Sequence, residues 1–295
     1  MNWRLRHRFR LARRIVRHRA RGKTHHVDRY GLSYWIWDYD RAINTPEGEP
    51  RTDDSGVIEQ LRNIYQAIGT LSEYDTSQRT SIDVGAYIGV ITLAMTQFGG
   101  NRHTVHSFEA DDLNFNHFET NVANFGNRKI VSHNVAISNQ VGTTMFTRNR
   151  DHGTNHLDEP LEVGSESEKV YEVPVDSLDN FAATNDIQVI DVVKIDVEGS
   201  DIKVLQGADN LLSSGRIKAL IIEISLDEYG RSEMTKLLLA HGYSTAFIVR
   251  NSVRLIESSE TAYLNEIRSP LNMLAVTTDV AAILDFPSGP DSEGG

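Results

Sequence analysis

Acidic residues and glycines with the spacing of a ligand-binding corner lie between positions 80 and 110. Asp83 ends an apolar run, Gly85 and Gly89 come directly after it, and Glu109 follows a second apolar run. A glycine turn between a strand and a helix lets the backbone approach a ligand, which the free N–H groups of the helix start then face. An acidic residue after the next strand is where such folds bind a ribose diol. The alternative is an ordinary strand–helix turn in which Asp83 caps the helix.

The same corner is a poor match to nucleotide phosphates. The spacing Gly85-x-x-x-Gly89 differs from the G-x-G-x-x-G pattern of dinucleotide sites, and no Walker lysine follows it. Because the carboxylate of Asp83 would also repel a phosphate, a cationic or hydroxyl-rich ligand is favoured. Nicotinamide dinucleotides and ATP are both disfavoured.

A second pair of carboxylates, Asp196 and Glu198, follows the apolar run 190–195. Open α/β sheets bind and transform ligands at the carboxyl ends of their strands, and side chains two positions apart in an extended chain share a side. Glu223 lies inside another apolar run, where a carboxylate needs a partner, and Lys194 is the candidate. Two interpretations of this pair stay open: a structural ion pair and a role in binding an acceptor.

The elements that position these residues are predicted from hydrophobic periodicity. The predicted strands are 81–84, 104–108, 130–136, 190–195, 219–225, 243–249 and 272–277, and the predicted helices are 55–71, 91–98, 113–125, 178–183, 202–212 and 234–239. The helix over 113–125 is expected to bury Leu113, Phe115, Phe118, Val122 and Phe125. Segments 143–147 and 169–173 predict a hairpin, joined by a polar loop that is expected to line an acceptor site.

Metal binding is not expected. His152 and His156 lie four positions apart, but Gly153 and Asn155 between them disfavour the helix that would bring them together. The sequence contains no cysteine, which excludes disulfides, thiolate metal sites and cysteine nucleophiles and fits the cytosol.

Charge is segregated along the 295 residues. Residues 1–29 hold eleven Arg or Lys residues and one Asp, whereas the rest holds 19 basic and 40 acidic residues. An acidic body disfavours nucleic acid as the substrate. Within residues 1–26, Leu5, Phe9, Ala12 and Val16 have helical spacing, so residues 1–20 could contact an anionic membrane surface peripherally. A disordered arm, or a helix docked on the acidic body, is the alternative.

Five motifs in chain order carry a resemblance beyond these local patterns. They are Asp83-Val-Gly-Ala-Tyr-Ile-Gly89, Ser107-Phe-Glu-Ala110, Asn134-Val-Ala-Ile-Ser138, Val175-Asp-Ser-Leu-Asp179 and Lys194-Ile-Asp-Val-Glu-Gly199. With them the chain, from about residue 80 to 225, resembles the FkbM family of class I S-adenosylmethionine-dependent methyltransferases. The resemblance implies an α/β fold: a doubly wound, seven-stranded, mostly parallel sheet whose last strand is antiparallel.

The resemblance also implies roles for individual residues. It assigns cofactor binding to Asp83, Gly85, Ala86, Tyr87, Gly89, Glu109, Ala110, Ala136, Ser138 and Asp196. Asp83, Gly85 and Gly89 would line the methionine end of S-adenosylmethionine, and Glu109 would take the ribose hydroxyls. Asn139, or the backbone, would contact the adenine amino group. Asp196 or Glu198 would act as the catalytic base or orient a sugar diol.

The predicted activity is therefore O-methylation of a sugar, glycan or lipid-linked saccharide in the cytoplasm, with peripheral contact at the inner face of the membrane. The alternatives are methylation of a small-molecule metabolite, a sugar-modifying oxidoreductase, and a non-catalytic relative that binds a nucleotide or glycan. The predicted organisation is a basic arm over 1–29, an extension packed on the core over 30–78, a methyltransferase domain over 79–286 and a disordered tail over 287–295. The oligomeric state is not predicted.

Overall fold

The structure is a computed structural model. It describes residues 24–29, 32–37, 53–71, 79–123, 129–149, 156–157, 167–197, 199–224, 228–248, 255–257 and 271–284. The basic helix predicted near the N-terminus, most of the loop after the first hairpin strand, Glu198 and the predicted tail lie outside the described residues. Residues 24–29, predicted as part of the basic arm, form a strand; the division into four segments stays a prediction.

The predicted strands and helices follow one another in the predicted order, except that the strand predicted over 130–136 is divided into two strands of different sheets. The strands are β1 Thr24–Arg29, β2 Leu32–Trp37, β3 Arg79–Val84, β4 His103–Phe108, β5 Lys129–His133, β6 Ala136–Ile137, β7 Gly142–Asn149, β8 His156–Leu157, β9 Ser167–Asp176, β10 Ile190–Ile195, β11 Ile217–Ile224, β12 Ser244–Ile248, β13 Leu255–Glu257 and β14 Leu271–Val276. The helices are α1 Asp53–Gly69, α2 Val90–Gly99, α3 Asp112–Ala123, α4 Leu178–Thr184, α5 Asp201–Gln206, α6 Asp209–Ser213, α7 Glu228–Ala240 and α8 Thr278–Ile283. No described helix is both long enough and apolar enough to cross a bilayer.

The main sheet has the order β13-β12-β14-β11-β10-β3-β4-β5. Strands β5, β4, β3, β10 and β11 pair in parallel, and β14 is antiparallel to both of its neighbours. The predicted doubly wound sheet of seven mostly parallel strands is thus confirmed, and the three-residue strand β13 adds an eighth at the β12 edge. The carboxyl ends of β3, β4 and β10 lie side by side, which brings the predicted site residues to one edge of the sheet.

Apolar side chains cover both faces of this sheet. Helices α1, α2 and α8 pack on one face over Val192, Ile221 and Leu274, together with Leu32 of the β1–β2 hairpin. Helices α4, α5, α6 and α7 pack on the other face over Val193. The near-continuous apolar runs of β10 and β11 follow from this arrangement, because parallel strands between two helical layers are buried on both faces.

The predicted hairpin is confirmed and extends beyond its expected ends. Strands β7 and β9 pair antiparallel from Gly142 to Asn149, with a register irregularity between Arg148 and Asn149. They belong to a separate four-stranded sheet of order β6-β9-β7-β8, outside the main sheet. One side of the β7–β9 hairpin packs on Ala110 through Phe146 and Val175, so the small sheet lies beside the end of β4.

The predicted position of helix α3 is confirmed, but its predicted burial is wrong. Leu113, expected inside, is 43% exposed, whereas Asn114, His117 and Asn121 are buried beside Phe118. The inner face of α3 is polar because it meets backbone groups of the β3–α2 loop. Asn121, for example, donates a hydrogen bond from Nδ2 to the carbonyl oxygen of Ile88 at 2.7 Å.

Candidate active site

The loop between β3 and α2 is shaped by two glycines. Gly85 has φ +79°, and a Cβ built there would lie 1.9 Å from the backbone oxygen of Asp196. Gly89 has φ +92°, and a Cβ there would lie 2.6 Å from the ring of Phe118. Both positions combine a left-handed backbone with a close approach, which only glycine permits. The loop therefore lies directly against the end of β10, where Asp196 is found.

The N–H groups of this loop are used within the protein. Gly85 and Ala86 both donate to the carbonyl oxygen of Phe108, each at 2.9 Å, and Gly89 donates to Ala86 at 2.8 Å. Tyr87, which has φ +51°, donates its N–H to Oε2 of Glu109 at 2.8 Å. The loop thus lacks the cluster of free N–H groups that cradles a phosphate.

Glu109 lies beneath the loop at the end of β4 and is 7% exposed. Its Oε1 accepts a hydrogen bond from the N–H of Asp111 at 2.9 Å, and Asn134 donates to the backbone oxygens of Glu109 and Ala110. Burial raises the pKa of Glu109 to about 8, although the backbone donors on Asp111 and Tyr87 favour the ionised form. The side chain of Asn114 is a third hydrogen-bond partner, so Glu109 is held rigidly, and its carboxyl group keeps acceptor capacity for a further donor.

Asp83 ends β3 and is 1% exposed. The hydroxyl of Thr92 on α2 donates to Oδ2 of Asp83 at 2.6 Å, and it lies 2.8 Å from the hydroxyl of Ser107. Since the single Thr92 proton goes to Asp83, Ser107 is the donor to Thr92. Burial raises the pKa of Asp83 to about 6, against the opposing effects of Thr92 and the positive charge of Lys194.

Asp196 follows β10, and its side chain is 35% exposed. The ammonium of Lys194 donates to Oδ2 of Asp196 at 3.3 Å and to the carbonyl oxygen of Ile195 at 3.1 Å. Lys194 is 3% exposed. Burial alone would lower its pKa, but Asp196, Glu223 and Asp83 outweigh burial and hold the pKa of Lys194 above its ordinary value. The predicted interaction between Lys194 and Glu223 is therefore electrostatic, whereas the side-chain hydrogen bond of Lys194 is made to Asp196.

The predicted adenine-side residues fall into two groups. Ala110 and Ala136 pack in the same small apolar cluster, close to Glu109. Ser138 is fully buried and faces the protein: its N–H donates to Asp176 at 2.9 Å, and a Cβ on Gly207 would lie 2.1 Å from its carbonyl oxygen. The helix predicted over 202–212 is divided at this point into two helices, α5 and α6. Asn139 is exposed and donates to Gln206 at 2.9 Å.

Sequence reasoning missed the residues that support the corner from a distance. Arg148 of β7 forms ion pairs with Asp111 and Asp112, and it donates to the hydroxyl of Tyr171 at 2.9 Å. Asn121 holds the loop backbone from α3. A usable signal was the spacing of Asn114, His117 and Asn121, which places three polar residues on one face of a helix; Arg148 left no comparable local signal.

The structure brings Asp83, Gly85, Tyr87, Glu109 and Asp196 together at the carboxyl edge of β3, β4 and β10. Among the described residues, no group of three or more His, Asp or Glu side chains could hold a metal ion. The corner offers two buried carboxylates for hydrogen-bond donors, and a half-exposed carboxylate paired with a buried ammonium. Such a set can hold a diol or an ammonium group and accept a proton from a hydroxyl group next to it.

Comparison with known proteins agrees with these features. Residues 83–245, more than half of the chain, match the family model described as the methyltransferase FkbM domain. None of the curated proteins matches the chain.

Similar solved structures include a methyltransferase FkbM from Methylobacillus flagellatus KT (16% identity, TM-score 0.46, 73% of this chain and 47% of that chain). They also include a SAM-dependent methyltransferase from Agrobacterium tumefaciens (10% identity, TM-score 0.43, 87% and 70%). A third is a precorrin-6y C5,15-methyltransferase from Geobacter metallireducens GS-15 (11% identity, TM-score 0.39, 74% and 89%). The chain spans about half the length of the Methylobacillus protein. On the match over residues 83–245, the chain belongs to the FkbM family of methyltransferases.

Proposed function

We propose that this protein is an S-adenosylmethionine-dependent O-methyltransferase whose acceptor is a hydroxyl group of a sugar, glycan or lipid-linked saccharide. The observation that carries the proposal is the position of Asp196. Its backbone lies against the glycine loop, and its half-exposed carboxylate is held by the buried ammonium of Lys194.

The chain's own residues fit the proposed cofactor. Because the N–H groups of the loop are hydrogen-bonded within the protein, the corner suits an adenosine ligand that carries no phosphate. Glu109 would accept hydrogen bonds from the ribose diol. Asp83 would attract the methionyl ammonium. The first turn of α2 has no side-chain cap at Gly89, so its N–H groups suit the methionyl carboxylate.

When bound, S-adenosylmethionine supplies an electrophilic methyl group on a sulfonium centre. Asp196 would accept the proton that the attacking hydroxyl loses, a contribution of roughly 10²- to 10⁴-fold for a well-placed base. Lys194 engages Oδ2 of Asp196, which fixes the carboxylate and leaves Oδ1 to face the acceptor. Alignment of the hydroxyl and exclusion of water would supply the remaining acceleration. Glu198, two positions on, stays a predicted second carboxylate of this site.

The basic segment over residues 1–20 supports the lipid-linked form of the acceptor. Its arginines and apolar residues have the composition of an interfacial helix, which would hold the enzyme at an anionic membrane where such saccharides lie. Deletion of residues 1–26 should then release the protein from anionic vesicles in a flotation assay. Unchanged vesicle binding after deletion would remove the membrane part of the proposal.

Calorimetry with S-adenosylhomocysteine tests the cofactor directly. We expect micromolar binding that Glu109→Ala weakens by at least about tenfold, because two diol hydroxyls lose their acceptor. Glu119→Ala, an exposed carboxylate on the outer face of α3, is the matched control and should bind normally. An absence of binding at every salt concentration would reject the methyltransferase activity. Positive binding leads to a screen of glycans for transfer of a labelled methyl group, in which Asp196→Asn should lose turnover but keep S-adenosylhomocysteine binding.

A further inference from the structure

Polar side chains interrupt the apolar face of the main sheet at its carboxyl edge. Lys194 follows Val192 on that face of β10, Glu223 follows Ile221 on β11, and Asn272 precedes Leu274 on β14. Asn272 and Glu223 are directly paired across the antiparallel β11–β14 ladder, so their side chains leave the sheet on the same face. The three form a row that leads away from Asp83, the neighbour of Lys194 on β3.

Asn272 has an unsatisfied polar atom. Its side-chain oxygen Oδ1 is buried and has no hydrogen-bond partner in the part of the chain that the structure describes, and the residue is 8% exposed. A buried amide oxygen without a donor is unfavourable, so it indicates a group that the folded chain alone does not supply. A leucine would fill this place in the sheet without that cost.

Lys194 also has a hydrogen-bond donor that the described chain does not use. Its ammonium has three N–H donors, and in the described chain it donates to Ile195 and Asp196. One donor thus remains at one end of the row, and one acceptor remains on Asn272 at the other. Glu223 lies between them and is partly exposed, which opens the row to solvent.

We propose that Lys194, Glu223 and Asn272 form the acceptor subsite of this enzyme and that it binds a neutral polyol through hydroxyl groups on one ring. This inference rests on the proposed function and adds where the acceptor binds. A hydroxyl group both accepts and donates, so it satisfies Lys194 at one end of the row and Asn272 at the other. Strands β10 and β14 are two strand spacings apart, about 10 Å, a span that a six-membered ring with its hydroxyl groups can bridge.

The charges of the row select against anionic acceptors. The carboxyl groups of Glu223, Asp196 and Asp83 outnumber the ammonium of Lys194, so a carboxylate or phosphate group on the acceptor is opposed. A neutral glycoside meets no such penalty. The subsite therefore distinguishes neutral sugars from uronic acids.

The test uses the full chain saturated with S-adenosylhomocysteine and saturation-transfer NMR with methyl α-glucopyranoside, methyl α-mannopyranoside and glucuronate. We expect a neutral glycoside to bind better than glucuronate. Asn272→Leu should weaken that binding by at least about tenfold, leave S-adenosylhomocysteine affinity unchanged and raise Tm, because it removes the unpartnered oxygen. Gln188→Leu, which removes an exposed amide at the opposite end of β10, is the control and should change neither glycoside binding nor S-adenosylhomocysteine affinity.

The outcomes separate this inference from the broader function. Unchanged glycoside binding in Asn272→Leu, a fall in its Tm, equal binding of glucuronate, or no binding of any neutral glycoside would each overturn the subsite while S-adenosylhomocysteine still binds. Loss of S-adenosylhomocysteine binding in the unmodified chain would instead overturn the methyltransferase function. A further variant, Glu223→Gln, should admit glucuronate several-fold better by removing the opposing charge.

Discussion

Arg148 of β7 forms a buried ion pair with Asp111, the residue whose N–H group holds the carboxylate of Glu109. Arg148 is 5% exposed and Asp111 is fully buried. The other oxygen of Asp111 accepts the first N–H groups of α3 and so caps that helix. One guanidinium therefore joins the small sheet to both α3 and the candidate cofactor site.

Replacement of Arg148 by methionine should destabilise the fold. The change leaves the carboxylate of Asp111 buried without its cation, a situation that typically costs about 3–5 kcal/mol. Urea unfolding measures the loss, and calorimetry should show weaker S-adenosylhomocysteine binding, because Asp111 also positions Glu109. Arg102→Met, at an exposed turn, is the control. Wild-type stability in Arg148→Met would contradict the role given to the ion pair.

An alanine at Gly85 should be far more damaging than an alanine at Gly100. Both glycines have φ +79°, but a Cβ at Gly85 would lie 1.9 Å from a backbone oxygen, whereas a Cβ at Gly100 would meet nothing within 4 Å. Gly100 has ψ −173°, a combination that is essentially restricted to glycine, so Gly100→Ala should cost about 1–3 kcal/mol. Gly85→Ala should cost several kcal/mol more or prevent folding, measured by thermal unfolding. Equal losses would show that only backbone conformation matters at Gly85.

Glu109 should make the protein less stable as pH rises toward 8. Its folded pKa of about 8 lies above the ordinary value of 4.5. Between those values the folded state keeps a proton that the unfolded state has lost, so stability falls with increasing pH. Urea unfolding from pH 6.5 to 9, above the pKa of about 6 of Asp83, should show this fall in the wild type and a smaller one in Glu109→Gln. Glu119→Gln should retain the wild-type slope, and a retained slope in Glu109→Gln would assign the effect elsewhere.

Binding of S-adenosylhomocysteine at pH 7 should release a proton. Folded Glu109 carries one at that pH, because burial raises its pKa to about 8, and two ribose hydroxyl donors favour the ionised carboxylate. Calorimetry in buffers of different ionisation enthalpy counts the protons released. Glu109→Gln should release fewer. Identical proton release by the two proteins would argue that the ribose does not contact Glu109.

His103 should weaken the fold as pH falls. It is 1% exposed beside the Arg79–Asp191 ion pair, and Tyr65 lies 3.3 Å from its Nε2. Burial, with the charge of Arg79, lowers the pKa of His103 to about 3. Below about pH 6.5 the unfolded chain therefore binds a proton at this residue that the folded chain does not bind. Stability should fall by up to about 1.4 kcal/mol per pH unit from this residue. His103→Gln should flatten that slope in urea unfolding, and an unchanged slope in this variant would contradict the role given to His103.

Much of the fold and of the site's centre could be predicted from the sequence because the relevant signals are local. Apolar runs such as 190–195 mark strands buried on both faces, and the glycine spacing of 85 and 89 marks the loop that joins strand to helix. Asp83, Glu109 and Asp196 each follow such a run directly. Their convergence then follows from the parallel order of the strands rather than from any side-chain detail.

The supporting residues could not be predicted in the same way. The partners Arg148 and Asp111 are 37 positions apart and belong to different sheets, so no periodic pattern links them. On α3 the apolar pattern was wrong about burial, because Asn121 turns inward to bond a loop carbonyl while Leu113 is left exposed. Asp179 of the fourth motif caps α6 through the N–H groups of Asn210 and Leu211, a structural role that its motif did not reveal.

The internally bonded loop between β3 and α2 has a consequence for competition inside a cell. Adenine nucleotides are abundant there, and any pocket that holds adenosine meets them constantly. In this protein Gly85, Ala86 and Tyr87 turn their N–H groups to Phe108 and Glu109, and Asp83 adds negative charge nearby. A triphosphate would find no free donor on these three residues and would be opposed by the charge of Asp83. Under the proposed function, its phosphates would depend on the first turn of α2 alone, so ATP is disfavoured without a blocking side chain.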